Sequence, residues 1–407
     1  MRIAMVSDHA SPLAVLGGVD AGGQNVHVDA LSRALASRDH EVVVHTRRDH
    51  EDLPTEVPLA PGVTVHHVDA GPPRPISKDS LGPYLPAFAS QLTRYWQAWR
   101  PDVIHAHFWM SGVACLQGAE RFDIPTAMTF HALGVVKRRH QAEADTSPVT
   151  RIPAEQQLIR RMDRIVATCS DEVRELVQLG ADERTVDVVP CGVDCSQFSA
   201  APWPAASRSR HRVLSLSRLV PRKGVGDAIE MLAYLPDVDL IVAGGPQPQD
   251  VGDDPEAQRL MQLAHDYGVA DQVHLVGAVD RDRIPDLVGS VDLAVCLPWY
   301  EPFGIVPLEI MACGRPVVGS AVGGLLDTVS HGRTGLLVPP RSPRKAASAV
   351  RMLLDDPGWC EQMGRNARER VEQQYDWSRV AEATQMTYEQ MVGGSSVIPA
   401  AMTRNAG

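Results

Sequence analysis

The chain has 407 residues, 44% of them hydrophobic and 22% charged, with a formal net charge of −11. At about 150 residues per domain this predicts two or three globular domains, and the composition excludes a mainly disordered chain. The acidic balance argues against nucleic acid or an anionic membrane as the general partner, because both need a positive field.

The chain alternates short β-branched runs with helical stretches. In the first half the predicted strands are 2–6, 42–46, 63–68, 103–107, 126–130, 165–168 and 186–189. In the second half they are 213–217, 240–243, 273–276, 293–297 and 316–319. Between them lie helical patterns such as 24–38, where Val26, Ala30, Leu31, Ala34 and Leu35 share one face. This alternation predicts an α/β protein of parallel sheets with helices on both faces. The pattern restarts near Val213. The segment 199–212, with Pro202 and Pro204, reads as a linker between an N-terminal domain, 1–198, and a C-terminal domain, 213–376. A final helix is predicted over 377–391, and the patternless tail 393–407 is expected to be disordered.

No stretch reaches the roughly 20 apolar residues that span a bilayer. The apolar run 1–6 is too short for the core of a signal peptide. The seven cysteines are odd in number and scattered, which predicts reduced thiols and a cytoplasmic protein. Cys191 and Cys195 lack a second pair or a His cluster, so no zinc site is expected there. Segment 88–100, with Trp96 and Trp99, reads as a buried helix rather than one lying on a membrane.

Ligands of open parallel sheets bind at the carboxyl ends of strands. Four segments fall there. The first is Gly17-Gly18-Val19-Asp20-Ala21-Gly22-Gly23-Gln24-Asn25, a glycine-rich loop before a helix that lets backbone approach a phosphate. It lacks the G-x-G-x-x-G dinucleotide spacing. The second runs from Arg218 to Gly224, where Arg218, Arg222 and Lys223 concentrate cations in an otherwise acidic chain. Such a cluster suits an anion. The third is Glu301-Pro302-Phe303-Gly304-Ile305-Val306-Pro307-Leu308-Glu309. It places one carboxylate before a helix, one on it, and backbone amides at the positive end of its dipole. Two carboxylates also allow a glycosidase pair, but a helix N-terminus favours binding an anion over protonating a leaving group. The fourth is His131, followed by Lys137, Arg138, Arg139 and His140. His105 and His107 share a strand face and read as packing. Asp237-Val238-Asp239 precedes a strand at its amino end, so it reads as a turn and not as a metal-binding DxD.

Taken together, the glycine-rich loop, His131, Arg218 with Lys223, and Glu301-x7-Glu309 resemble glycosyltransferase family 4, in order and over nearly the whole chain. The first half is most similar to sucrose-phosphate synthases and to the mycothiol-pathway N-acetylglucosaminyltransferases acting on inositol phosphate. The likeness rests on Gly22-Gly23-Gln24-Asn25, Ser77-Lys78-Asp79-Ser80-Leu81, His107-Phe108-Trp109-Met110-Ser111-Gly112 and the stretch from Phe130 to Lys137. The resemblance implies a GT-B fold, two Rossmann-like domains facing a cleft, with the last helix crossing back to the N-terminal domain. It implies a retaining, metal-independent hexosyltransferase with a nucleotide diphosphate sugar as donor substrate, a UDP-sugar first, and no tightly bound cofactor.

The resemblance also implies roles for single residues. Arg218 and Lys223 would hold the diphosphate, Gly22 and Gly23 would approach it, and Glu309 would hold the ribose. Glu301 and His131 would contact the transferred sugar, and the amides of Phe303, Gly304 and Ile305 would touch sugar and phosphate. Asn25, Lys78 and Arg151 would bind the acceptor, the two cations through a phosphate. This chain has Phe108 and Ala132 where the inositol-phosphate enzymes carry Tyr and Thr. The expected partners are thus a nucleotide sugar and a small polar, phosphorylated acceptor, with no nucleic acid or membrane, and with room for a homodimer. A GT-B epimerase, a phosphorylase, a GDP-sugar transferase acting on a lipid-linked acceptor, and a non-catalytic sugar-nucleotide binder are the other classes open at this stage.

Overall fold

A computed structural model describes residues 1–14, 22–142, 145–203 and 209–393. The predicted tail, apart from Gly393, and the loop residues Gly17 to Ala21 lie outside them. The first eight strands are β1 (Arg2–Val6), β2 (Glu41–Arg47), β3 (Glu56–Ala60), β4 (Val63–Val68), β5 (Val103–His107), β6 (Thr126–Thr129), β7 (Arg164–Ala167) and β8 (Val186–Val188). They form one sheet in the order β3-β4-β2-β1-β5-β6-β7-β8. Every pairing is parallel except β3 with β4. Around it lie α1 (Gly23–Ala36), α2 (Leu85–Ala98), α3 (Trp109–Ala119), α4 (Gly134–Gln141), α5 (Arg151–Arg161) and α6 (Ser170–Gln178).

The second sheet is wholly parallel. Its strands are β9 (His211–Leu216), β10 (Val238–Ala243), β11 (Val273–Gly277), β12 (Leu293–Cys296), β13 (Val317–Ser320) and β14 (Gly335–Val338), ordered β11-β10-β9-β12-β13-β14. Its helices are α7 (Val225–Leu232), α8 (Pro255–Asp266), α9 (Ile284–Gly289), α10 (Ile305–Ala312), α11 (Leu325–Thr328), α12 (Pro343–Asp355) and α13 (Pro357–Gln374).

Strand alternation makes two cores in each half. Along β1, Ala4 and Val6 join Leu92 and Trp96 on one face, while Ile3 and Met5 join Val28, Leu31 and Leu35 on the other. Successive side chains point to opposite faces, and a parallel sheet covered on both sides buries all of them. The last helix, α14 (Trp377–Gly393), packs against α1 and adds Trp377 and Tyr388 to the N-terminal core. The chain crosses between the halves twice, side by side, where Val193 N–H donates to the Tyr375 carbonyl at 2.8 Å.

Chain order reverses between β1 and β5 in one sheet and between β9 and β12 in the other. These are the switch points where a crevice opens beyond the strand ends. The halves touch there. The Ser170 amide and hydroxyl donate to Asp327 at 2.5 and 2.7 Å, which places a carboxylate at the N-terminus of α6. The His140 and Tyr300 rings stack at 5.0 Å.

Several expectations resolve at this level. Phe88 and Trp96 of α2 are buried, and the indole N–H of Trp96 donates to His45 at 3.2 Å. Asp237 pairs with Arg351, and Asp239 with Arg210 at 3.1 Å, at the amino end of β10 and away from the crevice. All seven cysteines are free. Among the described residues no helix is long and apolar enough to cross a membrane.

Candidate active site

The C-terminal crevice is built on glycines. β9 ends at Leu216 and the chain turns through Arg218 to Gly224, the N-cap of α7. Gly224 has φ of +71°, and a Cβ there would lie 1.8 Å from the Leu297 carbonyl oxygen. Only glycine allows the β9 and β12 ends to approach this closely. Arg218 is exposed, and among the described residues its guanidinium has no ion-pair partner. Lys223 instead pairs with the carboxylate of Glu301. Burial alone would raise the Glu301 pKa, but Lys223, Arg222 and the Gly304 amide outweigh it and hold the group below its ordinary value. Glu301 is therefore ionised, and it is unsuited to the glycosidase acid role.

Glu301 leads into α10, whose N-cap Gly304 has φ of +79°. This helix is apolar on all sides and its Leu308, Ile310, Met311 and Ala312 are fully buried. Glu309 is its one carboxylate. Burial pushes its pKa up to about 7, against the opposing pull of Arg281 at 2.6 Å. Below this loop the Gly323-Gly324 turn fits so closely that added Cβ atoms would meet the carbonyls of Glu301 at 2.1 Å and Phe303 at 2.5 Å.

The N-terminal crevice is built on histidines. His131 follows β6 in the left-handed region, φ +62°, and Phe108 follows β5 likewise at φ +79°. Non-glycine residues pay about 1–2 kcal/mol for that conformation. His131 is buried, its Nε2 lies 2.9 Å from Nδ1 of His107, and its ring meets Phe303 of the other half edge-on at 5.4 Å. Burial, together with the neighbouring histidines, holds both imidazoles well below their ordinary pKa, so both are neutral. Gly23 opens α1 on the same contact, since a Cβ there would lie 3.3 Å from Ile305 Cδ1 and 3.7 Å from Phe303 Cδ2. Asn25 caps the helix, accepting from the Gly22 amide and donating to the Ser11 carbonyl, both at 2.9 Å.

Glu301, Phe303, Gly23 and His131 thus converge across the cleft. Lys78 and Arg151 lie further along the N-terminal half. Arg151 is buried, with Nε donating to Glu155 at 2.8 Å, one Nη to Ser147 at 3.2 Å and the other to the Ala132 carbonyl at 2.5 Å. Its guanidinium also lies over the Phe108 ring at 4.9 Å. Both positions that depart from the inositol-phosphate pattern therefore touch Arg151. Lys137 reaches the same Ser147 hydroxyl at 2.9 Å, and Thr146 next to it donates to Asp79 at 2.6 Å, which ties the Lys78 turn to this segment.

Three residues were missed by motif reading. Arg281 follows β11 just as Arg218 follows β9, a positional signal that was available. Glu155 lies one helical turn after Arg151, an i,i+4 spacing that was also available, whereas His107 was read as packing and its meeting with His131, 24 positions away, has no local mark. Between α1 and the 194–197 segment lies a cavity of about 660 Å3, bounded by Asn25 from one half and Arg281 from the other. Among the described residues no group of three or more His, Cys, Asp or Glu side chains is arranged to hold a metal ion.

Known proteins resemble the chain over nearly its full length. The family described as Glycosyltransferase Family 4 matches residues 21–197, and that described as Glycosyl transferases group 1 matches residues 204–370. D-inositol 3-phosphate glycosyltransferase from Streptomyces bingchenggensis is 35% identical over 97% of this chain and 90% of its own length. The protein described as D-inositol 3-phosphate glycosyltransferase 2 of Catenulispora acidiphila is 38% identical, over 96% and 95%. Among solved structures, sucrose-phosphate synthase from Thermosynechococcus elongatus superposes with a TM-score of 0.86 at 32% identity, covering 97% of this chain and all of that one.

Proposed function

The chain belongs to the family 4 glycosyltransferases of the GT-B fold, and on that premise we propose that it moves a hexosyl unit, with retention, from a UDP-sugar to a small phosphorylated sugar or cyclitol. The observation that carries this reading is the meeting of the Glu301–Ile305 loop, braced by Lys223, with His131 and Gly23 of the opposite half. A sugar diphosphate laid in that seam has cations at its phosphates, and the Glu301 carboxylate and the neutral His131 at its sugar.

Arg218, Lys223 and the positive end of α10 then stabilise the leaving diphosphate. These charges are fixed before the bond breaks, so they cost no reorganisation during reaction. They supply the neutralisation that a divalent cation would otherwise provide. Glu301, ionised and held by Lys223, accepts hydrogen bonds from sugar hydroxyls, and Glu309 accepts those of the ribose. Among the described residues no side chain stands as a dedicated nucleophile. The acceptor oxygen attacks the anomeric carbon from the face that the diphosphate leaves, and its proton passes to the departing phosphate oxygen. Closure of the halves excludes water, which limits hydrolysis.

Lys78 and Arg151, with Lys137 beside them, give the acceptor crevice its positive charge. Phe108 and Ala132 make its wall more apolar than one bearing Tyr and Thr, so the acceptor differs from inositol phosphate in the hydroxyls it presents there. UDP is the first choice of donor because the enzymes that the motifs resemble use it. Free thiols support a cytoplasmic setting.

Thermal unfolding with a panel of nucleotide sugars, each with and without phosphorylated acceptors, tests the reading. A ligand at a hundredfold excess over Kd stabilises the native state by about 2.7 kcal/mol. A UDP-hexose should raise Tm, and acceptors should add to the shift only when phosphorylated. No shift with any nucleotide sugar would remove the donor assignment, and equal shifts from phosphorylated and unphosphorylated acceptors would remove the acceptor phosphate.

A further inference from the structure

Four buried histidines, His27, His105, His107 and His131, lie in ring contact behind the seam, with centroids 4.3 to 5.6 Å apart. They are not equivalent. The Thr129 hydroxyl donates to the Val166 carbonyl at 3.1 Å, so its oxygen can only accept from His105 Nε2–H at 2.9 Å. His105 Nδ1 is then bare and accepts the Tyr388 hydroxyl at 2.6 Å. Both nitrogens of His105 are satisfied, and its tautomer is fixed as part of the core. His27 Nδ1 lies 3.3 Å from Cys191 Sγ. The pair His107 and His131 differs. Their Nδ1 and Nε2 share one proton at 2.9 Å, while His107 Nε2 and His131 Nδ1 are buried without a partner. Buried polar atoms in native proteins are normally paired, so an orphan beside a binding seam calls for a ligand.

We propose that His107 is a positioning residue that fixes the tautomer of His131, so that His131 Nδ1–H is held ready to donate to a hydroxyl of the transferred sugar. This rests on the reading of His131 as the residue beside that sugar. Two arrangements of the shared proton are possible. If His131 Nε2–H donates to His107, then His107 carries its own proton on Nε2, a buried donor with no acceptor whether or not sugar is bound. If His107 Nδ1–H donates to His131, the sugar oxygen satisfies His131 Nδ1–H, and only a bare lone pair on His107 stays unpaired. Orphaned buried N–H groups are rarer than under-used acceptors, which selects the second arrangement. The buried, neutral pair also keeps this contact from depending on a titrating imidazole.

The test compares His107→Asn with His107→Gln. The Asn amide places a donor at the position of imidazole Nδ1; the Gln amide places one at the position of Nε2. Both variants stay polar, and thermal unfolding checks that each is folded. In protein labelled with 15N-histidine, long-range proton–nitrogen spectra distinguish protonated from bare ring nitrogens, and His131→Gln assigns the signals. The wild type and the Asn variant should show His131 as Nδ1–H, and the Gln variant should shift it toward Nε2–H. With a UDP-hexose, kcat of the Gln variant should fall about tenfold, the scale of one hydrogen bond, with acceptor KM within twofold. The Asn variant should stay within twofold of wild type. Equal spectra and equal kcat in the two variants would overturn the proposal. A wild-type chain that transfers no sugar would overturn the glycosyl-transfer reading instead, and the tautomer spectra would still decide the pair.

Discussion

The two crevices hold their charged groups in opposite ways. In the C-terminal crevice the cations are few and reach the seam, two of them resting on enclosed carboxylates. Arg218 is exposed, Lys223 leans on Glu301, and Arg281 leans on Glu309. A diphosphate arriving there meets charges it can take over. In the N-terminal crevice the groups are committed inside the fold. Arg151 spends its donors on Glu155, Ser147 and a carbonyl, Lys137 pairs with Asp145 at 3.0 Å, and the histidines are neutral. The contrast follows from what each side must do. On the proposed reading the C-terminal side is the donor side and compensates charge that grows as the bond breaks, and cations near solvent cost little to keep ready. On the same reading the N-terminal side must hold a polyol in one orientation, which rigid groups achieve, with only the outer nitrogens of the His107–His131 pair left unpaired.

The sharpest break of this comparison is Lys223→Ala. Removing a cation from a developing diphosphate should lower kcat by about 10^2- to 10^3-fold, while the protein stays folded with a lowered Tm, because Glu301 loses its partner. Steady-state transfer rates beside a melt check both halves of the statement. Near-normal turnover would remove Lys223 from the machinery. On the other side, Arg151→Ala should cost about 3 kcal/mol of stability, since it strands the buried Glu155 carboxylate. Adding Glu155→Gln should recover part of that. If Arg151 also binds the acceptor phosphate, acceptor KM stays high in the double variant. Recovery of KM along with stability would make Arg151 purely structural.

Much of this arrangement was legible beforehand, for identifiable reasons. Strands buried on both faces read as apolar runs, and nearly all were located from them. Two edge strands were not. β3, Glu56–Ala60, is half exposed and contains Pro58, and β14, Gly335–Val338, is four residues long and begins with glycine. β9 begins at His211, inside the segment read as linker, because its first two residues are polar. The glycines, cations and carboxylates of the C-terminal crevice sit next to one another in sequence, so their convergence could be read. Their partners could not. Arg281 reaches Glu309 from another strand end, and His107 and His131 meet only because β5 and β6 are neighbours in the sheet.

A smaller effect separates the crevices by pH. On the proposed reading Glu309 accepts ribose hydroxyls, more strongly when ionised, and burial has raised its pKa to about 7. The carboxylate form grows as pH rises through that value, so donor affinity should be about tenfold stronger at pH 8 than at pH 6. Titration calorimetry at the two values measures this. Glu309→Gln should bind more weakly at both and show no such dependence. Acceptor binding should follow the second ionisation of its own phosphate, at about pH 6, and keep that dependence in Glu309→Gln, because the histidines behind it stay neutral throughout. An acceptor pH dependence that disappears in Glu309→Gln would merge the two crevices.

The smallest effect concerns α14. Its Tyr388 is buried and its hydroxyl donates to His105, two residues before His107 on the same face of β5 but with both ring nitrogens satisfied. Tyr388→Phe removes that donor and leaves His105 Nδ1 unpaired, which should cost about 1 kcal/mol in chemical denaturation. Turnover should stay within twofold of wild type, because the His105 proton remains on Nε2, fixed by Thr129. A large loss of kcat with little loss of stability would mean that α14 reaches the seam through the histidines. The N-terminal crevice would then answer to the helix that returns from the other half, and its rigidity would be borrowed from that helix, not its own.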